Sequence, residues 1–259
     1  MMFPEAPRVI YKKNPLDRVI CQLRFPPILR IDTEVPAQFQ ERIRKDFPDF
    51  CEKEELILPQ KIRQEFPAEL LGKIMPSGTK NYEFSSEDAI WMVNLTRTFV
   101  ALGTTKYRRW EEFKERLDKP LNALIEIYEP AHFSRIGLRY IDIIKRSELG
   151  LDGVDWQELL QPYILGLLSL TTINKQVQTL KAKYEISLDN EGGIARIVTG
   201  LVEQDKEVCF LIDTDFYDTR KTDTSKVVNK LENFHVLASR LIQWLITQRL
   251  QRAMEPETL

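Results

Sequence analysis

The sequence predicts an α+β fold: an antiparallel sheet with helices on one face, built as a tandem pseudo-repeat of strand, helix, three-strand meander and helix. Three observations carry this. Ile20-Cys21-Gln22-Leu23-Arg24-Phe25 and the residues to Arg30 are echoed by Arg135-Ile136-Gly137-Leu138-Arg139-Tyr140 and the residues to Lys145, and Tyr82-Glu83-Phe84-Ser85 is echoed by Tyr184-Glu185-Ile186-Ser187. The segments around these echoes alternate apolar and polar residues with the period of a strand, and each half closes on a stripe of helical period. The units are residues 1–131, with an insertion at 48–76, and residues 132–259, ending in a long helix over 223–252. Together they are expected to form one pseudo-symmetric body.

In the first unit, Val19, Cys21, Leu23 and Phe25 alternate with Ile20, Gln22 and Arg24, which predicts a strand over Arg18–Phe25 that Pro26-Pro27 stops. Phe39, Ile43 and Phe47 predict a helix from Pro36 to Phe47, with the proline tolerated in its first turn. Residues 49–76 carry Pro59, Pro67 and Pro76 and read as an insertion of loops with one strand around Ile62–Phe66. Asn81–Ser85, Ala89–Thr96 and Phe99–Lys106 form the meander. Trp110, Phe113, Leu117, Leu121, Leu124, Ile125 and Tyr128 define a helix over Arg109–Tyr128, which Pro120 is expected to kink.

The second unit repeats the order. Strands are predicted over Phe133–Lys145, Lys181–Leu188, Ile194–Glu203 and Glu207–Asp213, with Asp189-Asn190-Glu191-Gly192-Gly193 as a hairpin turn. A helix begins at Asp155 and is interrupted at Gln161-Pro162. The closing helix starts at Thr222-Asp223-Thr224, whose oxygens suit an N-cap, and carries a wide apolar stripe from Val227 to Ile246. Such a sheet, covered by helices on one side and open on the other, is analogous to the saddle of the TATA-box-binding-protein-like folds.

Composition narrows the function classes. With 259 residues, 43% hydrophobic and 29% charged, the chain can bury a sizeable core without disulfides or a structural metal. No window approaches the roughly 18 apolar residues of a spanning helix, and the first residues have no signal-peptide pattern, so a cytoplasmic protein without membrane contact is expected. Cys21, Cys51 and Cys209 are scattered and odd in number, and His132 and His235 have no Cys or His at ligand spacing, so no disulfide framework or zinc site is suggested, and Cys21, Cys209, His132 and His235 read as structural residues. The formal net charge of −2 argues against a protein coated in base for nucleic acid. Nucleophile elbows, phosphate-binding loops and dinucleotide fingerprints are all missing, and no cofactor is called for.

Four sets of residues are candidates for a site. By strand parity Arg24 and Arg139 share a sheet face with Glu83 and Glu185; they read as a cross-strand ion pair in each half or as an anion- or partner-binding surface. Asp142, Asp213 and Asp215 lie in or at the ends of strands, where three carboxylates could converge on Mg²⁺, although a turn rich in Asp and Thr is the blander reading. Lys106-Tyr107-Arg108-Arg109-Trp110 mixes bases and aromatics as single-strand binders do, but Glu111, Glu112 and Glu115 neutralise it. The end of the last helix, with Trp244, Leu245, Leu250 and Met254, reads first as cover for the chain's own core and otherwise as a dock for a partner or a second copy of the chain.

The segment from Tyr11 to Leu29, with its Tyr-x-x-Asn-Pro-Leu start and Leu23-Arg24-Phe25 core, together with Arg135-Ile136-Gly137-Leu138-Arg139-Tyr140-Ile141-Asp142, resembles an uncharacterised family of sporadically distributed prokaryotic proteins. The resemblance spans essentially the whole chain. It implies no activity and transfers no catalytic residue; the patchy occurrence implies mobile or defence-associated genes. The leading expectation is therefore a non-enzymatic protein-interaction module, an accessory, sensor or antitoxin-like subunit of a defence or toxin-antitoxin system. The alternatives are a nucleic-acid-binding module using the open sheet face and a metal-dependent phosphoryl-transfer or nuclease enzyme.

Overall fold

The computed structural model describes residues 3–55, 79–188 and 192–258. Its strands are β1 (Val9–Tyr11), β2 (Leu16–Arg24), β3 (Asp49–Glu55), β4 (Thr79–Ser85), β5 (Trp91–Thr96), β6 (Phe99–Thr104), β7 (Arg135–Ile144), β8 (Lys181–Ser187), β9 (Ile194–Gln204), β10 (Glu207–Asp218) and β11 (Pro256–Thr258). Its α-helices are α1 (Arg30–Thr33), α2 (Ala37–Ile43), α3 (Trp110–Tyr128), α4 (Trp156–Leu159), α5 (Pro162–Leu165), α6 (Val227–Leu245) and α7 (Gln248–Ala253). Nine strands form one antiparallel sheet in the order β3-β4-β5-β6-β2-β7-β10-β9-β8, and β1 pairs with β11 in a separate ribbon.

Strand alternation decides which face is which. Val19, Cys21 and Leu23 are wholly buried, whereas Arg24 is exposed, and the same split runs through β7, where Ile136, Leu138 and Ile144 are buried and Arg139 is exposed. The apolar face continues through Val93, Leu102, Phe210, Ile212 and Phe216 and is covered by helices. α3 contributes Phe113, Leu117 and Leu124, and α6 contributes Leu231, Phe234 and Leu241. α2 packs on α3, and α6 lies on β7 and β10. Each such side chain, moved out of water, contributes about 1.5–3 kcal/mol before ordering costs. Among the described residues, the helices lie on one side of the sheet only.

Several elements differ from expectation. Pro120 does not interrupt α3, whose backbone runs helical from Trp110 to Tyr128. β3 occupies part of the segment read as loops: its sequence, Asp49-Phe50-Cys51-Glu52-Lys53-Glu54-Glu55, shows no apolar alternation because an edge strand needs only a hydrogen-bonding partner along one side, here β4. The strand expected around Ile62–Phe66 and most of the hairpin turn at 189–193 lie outside the described residues. β10 continues past Asp213 to Asp218, paired along its length with β7 and β9. Asp223 caps the turn before α6 as its position suggested, accepting from the Ser225 N–H at 2.9 Å.

The largest correction concerns the chain's last helix. It is two helices, broken at Ile246, where the backbone bridges to Leu160 and the Thr247 N–H donates to the Leu159 carbonyl at 2.9 Å. Thr247 then caps α7 through its side chain. The turn folds α7 back over α4, so Leu245, Leu250 and Met254 are 1%, 0% and 1% exposed. Three of the four residues considered for docking a partner thus close this chain's own core, the other use read for this stripe. Trp244 is half-exposed and stacks on Tyr163, with ring centroids 4.6 Å apart. Among the described residues, no helix is long and apolar enough to cross a membrane.

Removing this closure is expected to be costly. Leu250→Ala should destabilise the chain by about 2–5 kcal/mol in urea denaturation, and truncation after Ile242 should lower the midpoint further. An unchanged midpoint for the truncated chain would show that α7 is not part of the core.

Candidate functional site

The sheet face that the described helices leave uncovered is organised around the β2–β7 pairing. Across that seam Arg24 stands opposite Arg135, Gln22 opposite Gly137 and Ile20 opposite Arg139. The row of Arg139 continues through Asp215, Arg196 and Glu185 on the next three strands, alternating in sign. The side chains pair mostly on the diagonal. Arg139 donates to both oxygens of Asp213 at 2.7 and 2.6 Å, Arg135 donates to both oxygens of Asp215 at 3.0 and 2.8 Å, and Arg196 donates to Glu185 at 3.0 Å. The Tyr217 ring lies between two guanidinium groups, 4.9 Å from that of Arg135 and 5.1 Å from that of Arg196. Gly137 makes room for this arrangement: a Cβ there would fall 2.3 Å from the Arg135 guanidinium.

The four residues singled out by parity do share this face, but they are not partners. Two strands, β5 and β6, separate Glu83 from Arg24, and β9 and β10 separate Glu185 from Arg139. Glu83 instead pairs with Lys53 at 2.5 Å and accepts from Asn94 at 3.3 Å. Glu185 is held by Lys183 and Arg196, which keep its carboxyl below the usual range. Arg24 donates to Gln22 at 3.0 Å. Parity could place these residues on a face; it could not say which strands are neighbours. Arg135, Arg196 and Tyr217 were not singled out, although each has the parity of this face.

The three carboxylates considered for a metal do not converge. Asp213 and Asp215 point to the uncovered face, each engaged by an arginine, whereas Asp142 is opposite Ile212 and therefore points to the helix side. Among the described residues no group of three or more His, Cys, Asp or Glu side chains could hold a metal ion.

Asp142 leads to a second feature. Between β7, β10, α6 and the β1–β11 ribbon lies a cavity of about 100 Å³ whose lining includes Asp142, Tyr140, Thr214, Tyr107, Tyr11 and His235. The Tyr140 hydroxyl and His235 Nδ1 share a hydrogen bond of 3.1 Å, and the His235 ring stacks on Trp110 at 4.9 Å. Tyr107 meets Tyr140 edge to face at 5.8 Å and is fixed from behind by Asn14, whose side-chain amide donates to the Tyr107 carbonyl at 3.0 Å. β2 is irregular between Leu16 and Arg18, directly opposite Asp142, the kind of ladder break that re-aims side chains beside a site.

Burial dominates the electrostatics here. Asp142 is 5% exposed, and no hydrogen bond from a described residue reaches its carboxylate. Burial, helped by the negative charge of Asp213, pushes its pKa up to about 7. Burial, with Arg8 adding to it, lowers that of His235 to about 4, so the imidazole is neutral near pH 7. The phenols of Tyr107 and Tyr140 are raised above the ordinary tyrosine value by the same desolvation. Sequence reading gave Tyr107 a different role and treated His235 as structural; the visible signal for the cavity was an Asp at an inward position of a strand, two residues after Tyr140.

No protein-family model matches the chain, and no curated protein matches it either.

The raised pKa has a sign that can be checked. Folded Asp142 keeps its proton up to about pH 7, whereas unfolded it releases it near 3.8, so the folded state binds more protons between these values and stability falls as pH rises through that window. Asp142→Asn removes this loss. Urea denaturation should show the variant more stable than the wild type by about 1–3 kcal/mol at pH 8, with the gap closing towards pH 4.5.

Proposed function

We propose that the chain is a non-enzymatic protein-interaction module that presents the uncovered face of its sheet, centred on the β2–β7 seam, to a protein partner. The observation that carries this is the pairing of the central arginines. Arg135, Arg139 and Arg196 each already hold a carboxylate, so the face exposes both signs in alternation. A phosphodiester backbone would have to displace those carboxylates, whereas a protein surface with its own mixed charges can extend the pattern. This favours a protein partner over nucleic acid.

The strand order supports reading the sheet as two related halves. β4-β5-β6-β2 and β8-β9-β10-β7 run outside to inside in the same sequence order and meet at the seam. On this reading the sheet is a saddle of the TATA-box-binding-protein-like kind, with β3 an addition at one edge. In line with the family resemblance of its two motifs, the module would act in the cytoplasm as an accessory, sensor or antitoxin-like subunit of a prokaryotic defence or toxin-antitoxin system.

A photo-crosslinking amino acid placed at Gln22 or Arg139, in the chain expressed in its own cells, tests the reading. Crosslinks to one protein are expected from both positions and not from Val236, which is exposed on the helix side. Arg24→Glu combined with Arg139→Glu should abolish the crosslink made from Gln22 with little change in melting temperature. Crosslinks that form equally from Val236, or that are lost on nuclease treatment, would overturn it.

A further inference from the structure

We propose that the cavity behind β7 and β10 is a binding site for a small organic ammonium ion, received by the carboxylate of Asp142 and enclosed by the rings of Tyr107 and Tyr140. This goes beyond the partner-binding reading and does not depend on it, since the cavity opens on the helix side of the sheet.

Six buried polar atoms among the described residues lack a partner, and one of them, the Tyr107 hydroxyl, belongs to this cavity. Asp142 is 5% exposed, lines the same space and receives no hydrogen bond from a described residue. Buried polar atoms in native proteins nearly always have partners, so a carboxyl left open towards a cavity calls for a donor from outside the chain. A cation supplies charge as well as N–H groups. An anion would meet the Asp142 charge, and a neutral ligand would leave the carboxylate uncompensated.

The walls suit the same class. The faces and edges of Tyr107 and Tyr140 offer the π-surfaces that attract ammonium groups, and the Thr214 hydroxyl, which donates weakly to the Tyr140 carbonyl at 3.5 Å, keeps lone pairs free to accept. His235 is neutral and adds no competing positive charge. Arg108 also borders the cavity but is exposed at its mouth, where water screens it. One carboxylate among neutral hydroxyls falls short of the oxygen set that Ca²⁺ or Mg²⁺ requires. A volume of about 100 Å³ is smaller than the roughly 150 Å³ cavity that accepts benzene, so the ligand has about six heavy atoms or fewer.

The titration follows from the groups that face Asp142. From its own strand and β10 these are Tyr140 and Thr214, from α6 His235, from the loop before α3 Tyr107 and Arg108, from β1 Tyr11, and through the sheet Asp213. Burial holds the ionisation of Asp142 at about 7, lowers that of His235 to about 4 and raises the phenols of Tyr107, Tyr140 and Tyr11. Binding a cation requires the ionised form of Asp142, so affinity rises with pH through that ionisation and binding at pH 6.5 releases a proton.

Isothermal titration of the full chain with n-butylammonium chloride, with n-butanol and n-butyrate as neutral and anionic isosteres, tests the site. At pH 8 the ammonium should bind one to one and at least about tenfold more tightly than butanol, while butyrate should not bind. Affinity should fall roughly tenfold at pH 6, and the apparent heat at pH 6.5 should vary with buffer ionisation enthalpy as a proton is released. Asp142→Asn should reduce ammonium binding to the butanol level. Equal binding of ammonium and butanol, preference for butyrate, no binding of any of the three, or no proton release would each overturn the proposal. The isostere and buffer measurements use the wild-type chain, so they decide the matter even if the variant does not fold. A negative result here leaves the crosslinking outcome unaffected, and the converse holds.

Discussion

The structure depends on the antiparallel pairing of Leu16–Arg24 with Arg135–Ile144. These two strands lie far apart in sequence, and their ladder joins the strands before α3 to those after it in one sheet. The pairing is in register from Val19 to Arg24, so Val19 meets Tyr140, Cys21 meets Leu138 and Leu23 meets Ile136 on the buried side. A slip of one residue would carry Arg139 and Arg135 into the core and Leu138 into water, which makes this register strongly specified. Cys21 takes part only as a small apolar residue; burial pushes its thiol up to about 12 and leaves it inert.

With the seam in place, both faces acquire their character from alternation alone. The inward side supplies the floor on which α3 and α6 rest, and the outward side becomes a lattice of arginines and carboxylates. The pairs on that lattice are not a main source of stability. Arg139 is nearly half-exposed, and exposed ion pairs contribute about 0–1 kcal/mol, while the largely buried Arg135–Asp215 pair loses in desolvation much of what it gains in attraction. What the lattice does is fix side-chain positions: Arg135 is held at once by Asp215, by Gln22 across the seam and by the Tyr217 ring.

The parts of this molecule legible in sequence are those that local periodicity controls. The meander strands, α3 and the inward alternation of β2 and β7 could be read from residue spacing, because each buries one face. β3 could not, since an edge strand with charges along it has no apolar period. The break at Ile246 was signalled only by Thr247, a residue whose capping role depends on whether a turn forms there, and the turn forms because Leu159 and Leu160 lie within hydrogen-bond reach. The candidate site shows the same division. Parity placed Arg24, Arg139, Glu83 and Glu185 on one face correctly, yet the choice of partners required the strand order, which is a property of long-range pairing. Asp142 was grouped with Asp213 and Asp215 because all were read at strand ends, a criterion that does not say which face a side chain takes, and the pleat sends neighbouring positions of a ladder to opposite sides.

That last separation is also a connection. Asp142 and Asp213 project from opposite faces of adjacent strands, offset by one position in the ladder, and the charge of Asp213 is the second cause, after burial, that holds the proton on Asp142. Arg139 compensates Asp213 through two short hydrogen bonds. A protein surface that drew Arg139 away from Asp213 would expose Asp142 to more of that negative charge and favour its neutral form. A cation seated beside Asp142 would act in the opposite sense and ease the burden on both carboxylates. Because such coupling is reciprocal in free energy, the cavity and the uncovered face would influence one another through a single peptide plane, with no movement of the sheet required.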